Sequence, residues 1–526
     1  MKIIIIILSS LFYLMLELKK NIHMLQQNFY NENNRYLKWG IKNISNILDY
    51  KSILILILNL INLFFQKEIL LYVNILYLGL YLCEKKREKN TYYKIPLKCT
   101  KRVKRLYITN IILYLSLIAI YNLTKKIYLF TFIYSLYISI SFLVVYLSNI
   151  INIPIEKIVF NHYKNKAVNK LSKQTNLEVI GITGSYGKTS SKSILNEILS
   201  VKYNPIATPK NFNTQYGLII TINNYINKFH DLFIAEMGAF KLGRIKILCN
   251  LVKPKYGIIT RIGDSHLETF GSRENIQKGK FELIESLPSE GLAILNMDDE
   301  YQVNYKLKNK SNVKWISIDN KEADIIASDI KMDANGMSFN VYFKEDNLNQ
   351  RFYTKLLGTS NIYNILGAIT LAYHKNMTLE EIDIGIRKIK PVPHRLELKK
   401  NKDNIIIDDS YNSNPIGSKM ALDVLSLMNG IKIVVTPGMI ELGDKQYELN
   451  KKFGEYISNV ANYVILVGQK QTKPILDGLK EKKYKEENIF IINDVREAFK
   501  IIDGINTKGK KYILLENDLP DIFNEN

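Results

Sequence analysis

A short apolar run that leads into a glycine-rich turn constrains the fold of this chain more than any other feature. Residues 177–183 read LEVIGIT, which is typical of a buried strand, and the next six residues read GSYGKT. A helical pattern starts at Lys188. Glycines let backbone N–H groups approach an anion at a helix N-terminus, so this order predicts a phosphate-binding loop. In such a loop Gly184 and Gly187 shape the turn, Lys188 supplies charge, and the Thr189 hydroxyl holds Mg²⁺.

Apolar residues are concentrated in the first 152 positions. In the remainder of the chain, apolar and polar residues alternate as they do in soluble α/β proteins. Apolar runs occur at 3–18, 52–65, 69–83, 106–123 and 127–151. A helix needs about 20 apolar residues to cross a bilayer, which the run 127–151 meets. Gln66-Lys67-Glu68 interrupts the region 52–83 and predicts a hairpin of two short helices. We predict a transmembrane helical region over 1–152 with three to five spans, in which the first run is an anchor rather than a signal peptide.

The loop after Cys83 gives the orientation of these predicted helices. It carries ten lysines and arginines between residues 85 and 105. Because short loops rich in Lys and Arg stay on the cytoplasmic side, we expect this loop and the C-terminal part of the chain in the cytoplasm. The sequence therefore predicts a multi-pass protein of the plasma membrane, with the lipid bilayer as a partner.

The net charge of +22 does not by itself indicate a partner. Lysine is abundant together with Ile, Asn and Tyr, a bias that is typical of an AT-rich genome. We find no zinc-finger, leucine-zipper or RNP motif in the sequence, so we predict no nucleic-acid partner. The three cysteines are scattered and form neither a disulfide framework nor a zinc motif.

The part of the chain after the apolar region predicts two α/β domains. The first, over 155–392, is an ATP-binding domain with a parallel sheet, to which 329–357 adds a small antiparallel portion that turns at Asn335-Gly336. A linker near Pro391 leads to a smaller, Rossmann-like domain over 393–526. Its strands are predicted near 404–408, 432–436, 463–467, 489–492 and 511–515.

The phosphate loop and seven later segments together resemble the Mur ligase family. In chain order the later segments are Thr208-Pro-Lys-Asn211-Phe-Asn213, Ile234-Ala-Glu236-Met-Gly-Ala239, ITRIGDSHLETFGS over 259–272, Lys278-Gly-Lys280, Asn361 with Asn364, His394-Arg395-Leu-Glu397, and Asp408-Asp409-Ser-Tyr-Asn-Ser-Asn-Pro415. The resemblance covers about residues 155–526. The EMGA, HLExFGS and DDSYNSNP motifs are most similar to those of the MurF-type branch, which joins D-alanyl-D-alanine to a UDP-muramoyl tripeptide.

The resemblance implies an ATP-dependent amide-bond ligase of peptidoglycan precursor synthesis that works through an acyl phosphate. The residues that it implies for ATP are Gly184, Ser185, Gly187, Lys188, Thr189, Ser190, Asn361, Asn364, Arg395 and Asp409. Those that it implies for the substrate are Thr208, Asn211, Asn213, Asn412 and Asn414. Two Mg²⁺ sites are implied, held by Thr189, Glu236, His266 and Lys280 as a CO₂-derived carbamate, and the catalytic residues are Lys188, Lys280, His266 and Glu236. Residues 231–236 also read as a strand, which would place Glu236 at the carboxyl edge of a parallel sheet, where ligands bind.

Periodicity separates Lys280 from Lys278, independently of the resemblance. A predicted helix over 273–287 places Lys280 on the same face as four apolar residues, Ile276, Leu283, Ile284 and Leu287. Residues two apart on a helix do not share a face, so Lys278 points elsewhere. A desolvated lysine is easily neutralised, which makes it a nucleophile for CO₂.

The sequence departs from the family at its start, because membrane helices stand where a soluble domain usually binds the UDP-sugar. Asp264 and Ser360 also differ from the usual Glu and His. Two kinds of acceptor therefore stay open: a UDP-linked muramoyl peptide, and a lipid-linked or other polymer acceptor. A different function is the second alternative, namely a membrane-bound nucleotide-binding protein that does not catalyse a reaction. The joint presence of Glu236, His266 and Lys280 favours the enzyme, because a binding module needs no second metal site.

Overall fold

The computed structural model describes residues 2–47, 50–90, 96–333, 335–401, 404–411, 413–440, 442–505 and 509–519. These described residues divide into two compact units, 2–162 and 163–519. The first unit is helical. Its helices are α1 (Lys2–Gln27), α2 (Arg35–Lys42), α3 (Ile44–Ile47), α4 (Tyr50–Phe65), α5 (Leu76–Asn90), α6 (Lys101–Thr124), α7 (Ile127–Ser139) and the greater part of α8 (Ser141–Ser172), with 3-10 turns at Phe29–Asn34 and Glu68–Ile75.

Two of the described helices, α6 and α8, are long and apolar enough to cross a membrane by length and composition. The apolar helices α4 and α7 are shorter, at 16 and 13 residues. The three to five predicted spans are therefore not confirmed and stay a prediction. The expectation of one helix over 127–151 is wrong, because the backbone breaks at Ile140 between α7 and α8. Next to this break the Ser139 hydroxyl donates to the Ser52 carbonyl oxygen at 3.3 Å.

Polar side chains join the helices of the first unit to one another. Asn59 of α4 and Asn74 exchange two amide hydrogen bonds of 3.1 Å, and both side chains are buried. Arg105 of α6 and Glu156 of α8 form a bidentate ion pair at 2.7 and 2.8 Å. Paired polar groups of this kind fix which faces of apolar helices meet, since each would be costly to bury alone.

The second unit begins with a nine-stranded sheet in the order β2-β3-β1-β4-β5-β6-β7-β8-β9. Its strands are β1 (Glu178–Thr183), β2 (Pro205–Ala207), β3 (Leu232–Glu236), β4 (Tyr256–Ile259), β5 (Leu292–Asn296), β6 (Asn312–Ser317), β7 (Ile325–Asp333), β8 (Gly336–Phe343) and β9 (Leu348–Thr354). Pairing is parallel from β2 to β7 and antiparallel from β7 to β9. The antiparallel portion that was predicted around Asn335-Gly336 is thus confirmed, as an extension of the same sheet.

Helices on this sheet bury the apolar residues that the strands present. They are α9 (Lys188–Leu199), α10 (Gln215–Asn224), α11 (Arg244–Val252), α12 (Leu267–Phe270), α13 (Arg273–Phe281), α14 (Glu300–Val303), α15 (Thr359–His374) and α16 (Leu379–Lys388). Parallel strands that are covered on both faces have continuous apolar sequences, which is why β1 and β3 could be predicted from the sequence. Both strands end at one edge of the sheet, where Thr183 and Glu236 stand.

A six-stranded sheet follows in the order β10-β11-β15-β12-β13-β14. Its elements are β10 (Glu397–Asn401), β11 (Asn404–Asp409), α17 (Pro415–Ser426), β12 (Ile431–Thr436), α18 (Gln446–Ser458), β13 (Tyr463–Val467), α19 (Lys473–Glu481), β14 (Ile489–Ile492), α20 (Val495–Gly504) and β15 (Lys511–Glu516). The five predicted strands of this domain are confirmed. The antiparallel edge strand β10 was missed, because its sequence ELKKN has one apolar residue in five.

Candidate active site

The glycine-rich turn forms the loop between β1 and α9 that the sequence predicts. Gly184 has φ +151° and Gly187 has φ +79°, and α9 begins at Lys188. A Cβ on Gly184 would lie 2.0 Å from the Thr260 hydroxyl oxygen, so no larger residue fits there. The Lys188 ammonium donates to the carbonyl oxygens of Gly184 at 2.9 Å and Ser185 at 3.1 Å. Burial lowers the pKa of Lys188 to about 8, against the opposing effect of the Glu236 carboxylate.

Glu236 ends β3 beside this loop, as predicted, and its side chain is 1% exposed. Its Oε1 accepts hydrogen bonds from the Thr189 hydroxyl at 3.2 Å and from the Asn213 amide at 3.0 Å. Its backbone N–H donates to the Thr208 hydroxyl at 3.2 Å. On the other oxygen, Oε2, the Lys192 ammonium lies at 2.9 Å. The structure therefore brings the loop threonine and Asn213 to a single buried carboxylate, and Thr208 to the backbone of the same residue.

Lys280 is buried in α13 with 2% of its surface exposed, whereas Lys278 is exposed, as the periodicity predicts. Its ammonium lies 5.6 Å from the centre of the Phe270 ring, which belongs to α12, and His266 directly precedes α12 with φ +59°. Burial, and secondly the charge of Lys188, hold the pKa of Lys280 well below its ordinary value. A pKa lowered in this way favours the neutral amine, which is the form that reacts with CO₂.

The predicted extent of the helix that carries Lys280 is wrong. We expected it to run to Leu287, but α13 ends at Phe281 and a 3-10 turn follows over Ile284–Ser286. Pro288 explains why Leu287 is not helical, because a proline disfavours helical dihedral angles in the residue before it. Leu287 accordingly adopts an extended conformation with φ −73° and ψ 146°.

A cleft of about 100 Å³ separates the phosphate loop from the second sheet. Seven of the residues that were predicted from the sequence line it, namely Gly187, Ser190, Asn361, Asn364, Arg395, Asp409 and Asn414. They come from four separate stretches of the chain. The guanidinium of Arg395 lies 4.4 Å from the centre of the Tyr411 ring, which holds it at the cleft. Residues far apart in the sequence thus face a common space next to the phosphate loop.

The other predicted residues have different surroundings. The Asn414 side chain accepts the Gly417 N–H at 2.9 Å and so caps α17, although it also lines the cleft. Asn211 is exposed. Asn412 lies outside the described residues. Asp264, where the sequence departs from the family, forms a bidentate ion pair with Arg273.

Glu516 is a site residue that the sequence analysis missed. It ends β15 beside the end of β11, with Asp409 as its register partner, and its side chain is fully buried. The Ser413 hydroxyl donates to Glu516 Oε1 at 2.6 Å, whereas Glu516 Oε2 is buried without a hydrogen-bond partner among the described residues. Burial and the Asp409 charge hold the pKa of Glu516 well above its ordinary value, whereas burial raises that of Asp409 to about 6. The rule that identified Glu236 at a strand end applies equally to Glu516.

The donors next to the phosphate loop suit Mg²⁺ that is bound together with phosphate oxygens. In the described part of the chain no three His, Cys, Asp or Glu side chains group to hold a metal ion. Thr189 and Glu236 instead offer two hard oxygen atoms at 3.2 Å from each other. Mg²⁺ is usually held by one or two such groups plus substrate phosphates rather than by a cage of protein ligands.

Comparison with known proteins identifies the family of both α/β domains. The family model of the Mur ligase middle domain matches residues 182–372, and that of the Mur ligase glutamate ligase domain matches residues 394–515. A UDP-N-acetylmuramoyl-tripeptide--D-alanyl-D-alanine ligase of Buchnera aphidicola subsp. Acyrthosiphon pisum is 32% identical over 368 residues, which is 67% of this chain and 78% of that protein. The chain belongs to the Mur ligase family.

Other Mur ligases of the same name match a smaller share of this chain. That of Buchnera aphidicola subsp. Baizongia pistaciae is 35% identical over 302 residues, 56% of this chain and 64% of that protein. That of Bacillus subtilis is 31% identical over 284 residues, 53% of this chain and 60% of that protein. The chain therefore spans less than two thirds of the length of these two relatives.

Solved Mur ligase structures share the fold. MurF from Acinetobacter baumannii has a TM-score of 0.62 at 23% identity and covers 68% of this chain and 77% of that one. MurF from Thermotoga maritima, in complex with ADP, has a TM-score of 0.61 at 24% identity and covers 69% and 81%. Both likenesses concern the α/β architecture.

Proposed function

We propose that this Mur ligase joins D-alanyl-D-alanine to the carboxylate of UDP-N-acetylmuramoyl tripeptide, with ATP, in the synthesis of peptidoglycan precursors. The observation that carries the proposal is the meeting of Thr189, Glu236 and the phosphate-loop lysine beside the buried Lys280. Relatives with this name match the chain at 31–35% identity. ATP converts the carboxylate to an acyl phosphate, which the amine of the dipeptide then attacks.

Transfer of a phosphoryl group needs positioning and neutralisation of charge more than covalent help from the protein. Lys188 and the loop N–H groups would hold the β- and γ-phosphates at the start of α9. Thr189 and Glu236 would hold Mg²⁺, which supplies positive charge to the transferred phosphoryl oxygens. His266 and Lys280, as a carbamate, would serve a second ion. Asn361, Asn364, Arg395 and Asp409 would contact the remainder of the nucleotide in the cleft.

Membrane attachment of the enzyme is a second part of the proposal. The two long apolar helices α6 and α8 support it, and the Lys- and Arg-rich loop before α6 would keep the ligase part on the cytoplasmic side. Expression of the chain followed by separation of membrane and soluble fractions tests this part. Recovery from the membrane after a wash at high salt is expected, whereas release by that wash would contradict it.

The activity is tested by phosphate release from ATP by the detergent-solubilised chain. Release that requires both D-alanyl-D-alanine and UDP-N-acetylmuramoyl tripeptide is the expected result, with Lys188→Ala as the inactive control. Release that requires a lipid-linked or another acceptor instead would keep the chemistry and replace the substrate. Binding of ATP without release for any acceptor would identify a non-catalytic nucleotide-binding protein.

Gly187→Ala is expected to weaken nucleotide binding. Alanine in the left-handed conformation costs about 1–2 kcal/mol, and its Cβ would lie 3.0 Å from the Asn364 side-chain oxygen in the cleft. Gly243→Ala is the matched control, because Gly243 has φ +81°, directly precedes α11 as Gly187 precedes α9, and has nothing within 4 Å of its Cβ position. Thermal unfolding should shift downward in both variants, whereas ADP affinity measured by calorimetry should fall in Gly187→Ala alone. Equal losses of affinity would mean that the loop has no direct role.

Glu516 is expected to control the pH range of nucleotide binding. The neighbouring Glu516 carboxyl opposes the rise that burial causes in the pKa of Asp409, and so favours the ionised form of Asp409, which can accept hydrogen bonds from ribose hydroxyls. In Glu516→Ala this effect is lost, and the pKa of Asp409 should rise from about 6. Because binding is then lost as soon as the pH falls through the higher pKa, ADP affinity should disappear at a higher pH than in the unmodified chain.

Glu516→Gln is the matched control for this prediction, because glutamine keeps the size of the side chain and has an amide that can act as a donor. ADP affinity is titrated between pH 5 and pH 8 in both variants. A shift in Glu516→Ala alone is expected, and no shift in either variant would contradict the role of Glu516.

A further inference from the structure

Lys192 lies one helical turn after the phosphate-loop lysine and connects two parts of the site. Its ammonium is 2.9 Å from Glu236 Oε2 and also donates to the carbonyl oxygen of Lys210. Both partners of the ion pair are buried, with side-chain exposures of 6% for Lys192 and 1% for Glu236. Lys210 belongs to the segment 208–213, whose Thr208 also contacts Glu236.

The charge at this place is unbalanced. Two lysines, Lys192 and Lys188, lie buried or partly buried beside one carboxylate, that of Glu236, which pairs with Lys192 and faces the charge of Lys188. A divalent cation at Glu236 would add to this excess of positive charge in surroundings of low polarity, where Coulomb repulsion is strong. Phosphate oxygens carry negative charge and would offset the excess.

The contact between Lys192 and Glu236 is of a kind that a metal ion can replace. Glu236 Oε2 lies within ion-pair distance of the ammonium, yet it accepts no well-aligned hydrogen bond from the described residues. The lone pairs of Oε2 therefore remain available to coordinate a metal ion. On Oε1, Thr189 and Asn213 already donate.

We propose that Lys192 acts as an internal cation that occupies Glu236 and excludes free divalent metal until nucleotide phosphates arrive. Lys192 is thus a positioning residue, which makes metal binding conditional on the nucleotide. Because the same ammonium holds the Lys210 carbonyl, entry of the metal also acts on the segment 208–213. The nucleotide site and the predicted substrate segment are coupled through this one side chain.

The inference rests on the proposed function for its use of Mg²⁺ and nucleotide. It is tested on the detergent-solubilised full chain with Mn²⁺ as the probe, by electron paramagnetic resonance of free Mn²⁺, without and with ADP. Lys192→Met and Lys192→Gln should each bind Mn²⁺ alone about ten-fold more tightly than the unmodified chain, a typical size for coupling between two ligands. Lys192→Arg, which keeps the charge, should bind Mn²⁺ alone as weakly as the unmodified chain.

Lys202→Met is the matched control, because Lys202 follows the same helix and its ammonium donates to the Asn376 carbonyl oxygen instead. Addition of Glu236→Gln to Lys192→Met should remove the gained affinity. ADP binding by each variant verifies that the site is folded, and two substitutions of different polarity guard against misfolding of one. Variants that bind ADP but gain no affinity for Mn²⁺ alone would overturn the inference. Failure of the unmodified chain to bind ADP would instead overturn the proposed function.

Discussion

Lys188→Ala is expected to lower the rate of ATP-dependent amide formation by about 10²–10³-fold, the effect of removing one preorganised electrostatic group. The ammonium is already oriented by the carbonyl oxygens of Gly184 and Ser185, so the protein has little to rearrange when phosphate arrives. The measurement is phosphate release with both substrates at saturation. Lys202→Ala, a change outside the site, should leave the rate unaltered, and a loss of less than ten-fold in Lys188→Ala would contradict the assigned role.

The lowered pKa of Lys188 adds a dependence on pH. In the empty protein this lysine loses its proton above a pH of about 8. Phosphates favour the charged form, so binding of ADP above that pH should take up a proton from solution. Calorimetry of ADP binding at pH 8.5 in two buffers of different ionisation enthalpy detects this uptake, and it should disappear in Lys188→Ala.

Lys280→Met is expected to abolish ligation while the folded state becomes more stable. An amine that is held buried and neutral has a pKa well below its ordinary value, which means that folding is penalised by its burial. Methionine has a similar length and carries no such penalty. We expect a loss of rate of about 10²-fold or more together with a higher temperature of thermal unfolding, which is the trade-off between stability and activity.

Lys278→Met is the matched control for this pair of effects. Lys278 is on the same helix but exposed, so its replacement should change neither the rate nor the unfolding temperature appreciably. Direct detection of the carbamate by ¹³C NMR, in protein equilibrated with labelled bicarbonate, tests the chemical form of Lys280. A signal that persists in Lys280→Met would assign the carbamate to another amine.

The elements that the sequence predicted well are those that a local pattern determines. The phosphate loop and strands such as β3 and β12 have an apolar run and a clear boundary, and helix α9 begins at Lys188 as expected. Strand β10 and the end of α13 depend on their surroundings instead. An edge strand with one apolar residue in five has no periodicity to detect, and α13 ends six residues before the expected Leu287.

The site was predictable wherever residues stand at strand ends or on one helical face. Glu236 and Lys280 were found in this way. The bonds of Lys192 were not, because a lysine on a helix usually faces solvent and only the tertiary fold brings it to Glu236. The pairing of Asp409 with Glu516 depends on β11 and β15 being neighbours although they are separated by three strands in the sequence. Strand order is a property of the whole sheet, which no local pattern encodes.

The excess of buried positive charge around Glu236 has a practical consequence for handling this protein. A site that lacks its nucleotide will take whatever multivalent anion the solution offers, so sulfate or inorganic phosphate in a purification buffer should compete with ATP. Apparent affinities measured in such buffers would underestimate the true ones. Stored protein should also unfold at a higher temperature in these salts than in chloride of equal ionic strength, since any ligand of the folded state stabilises it.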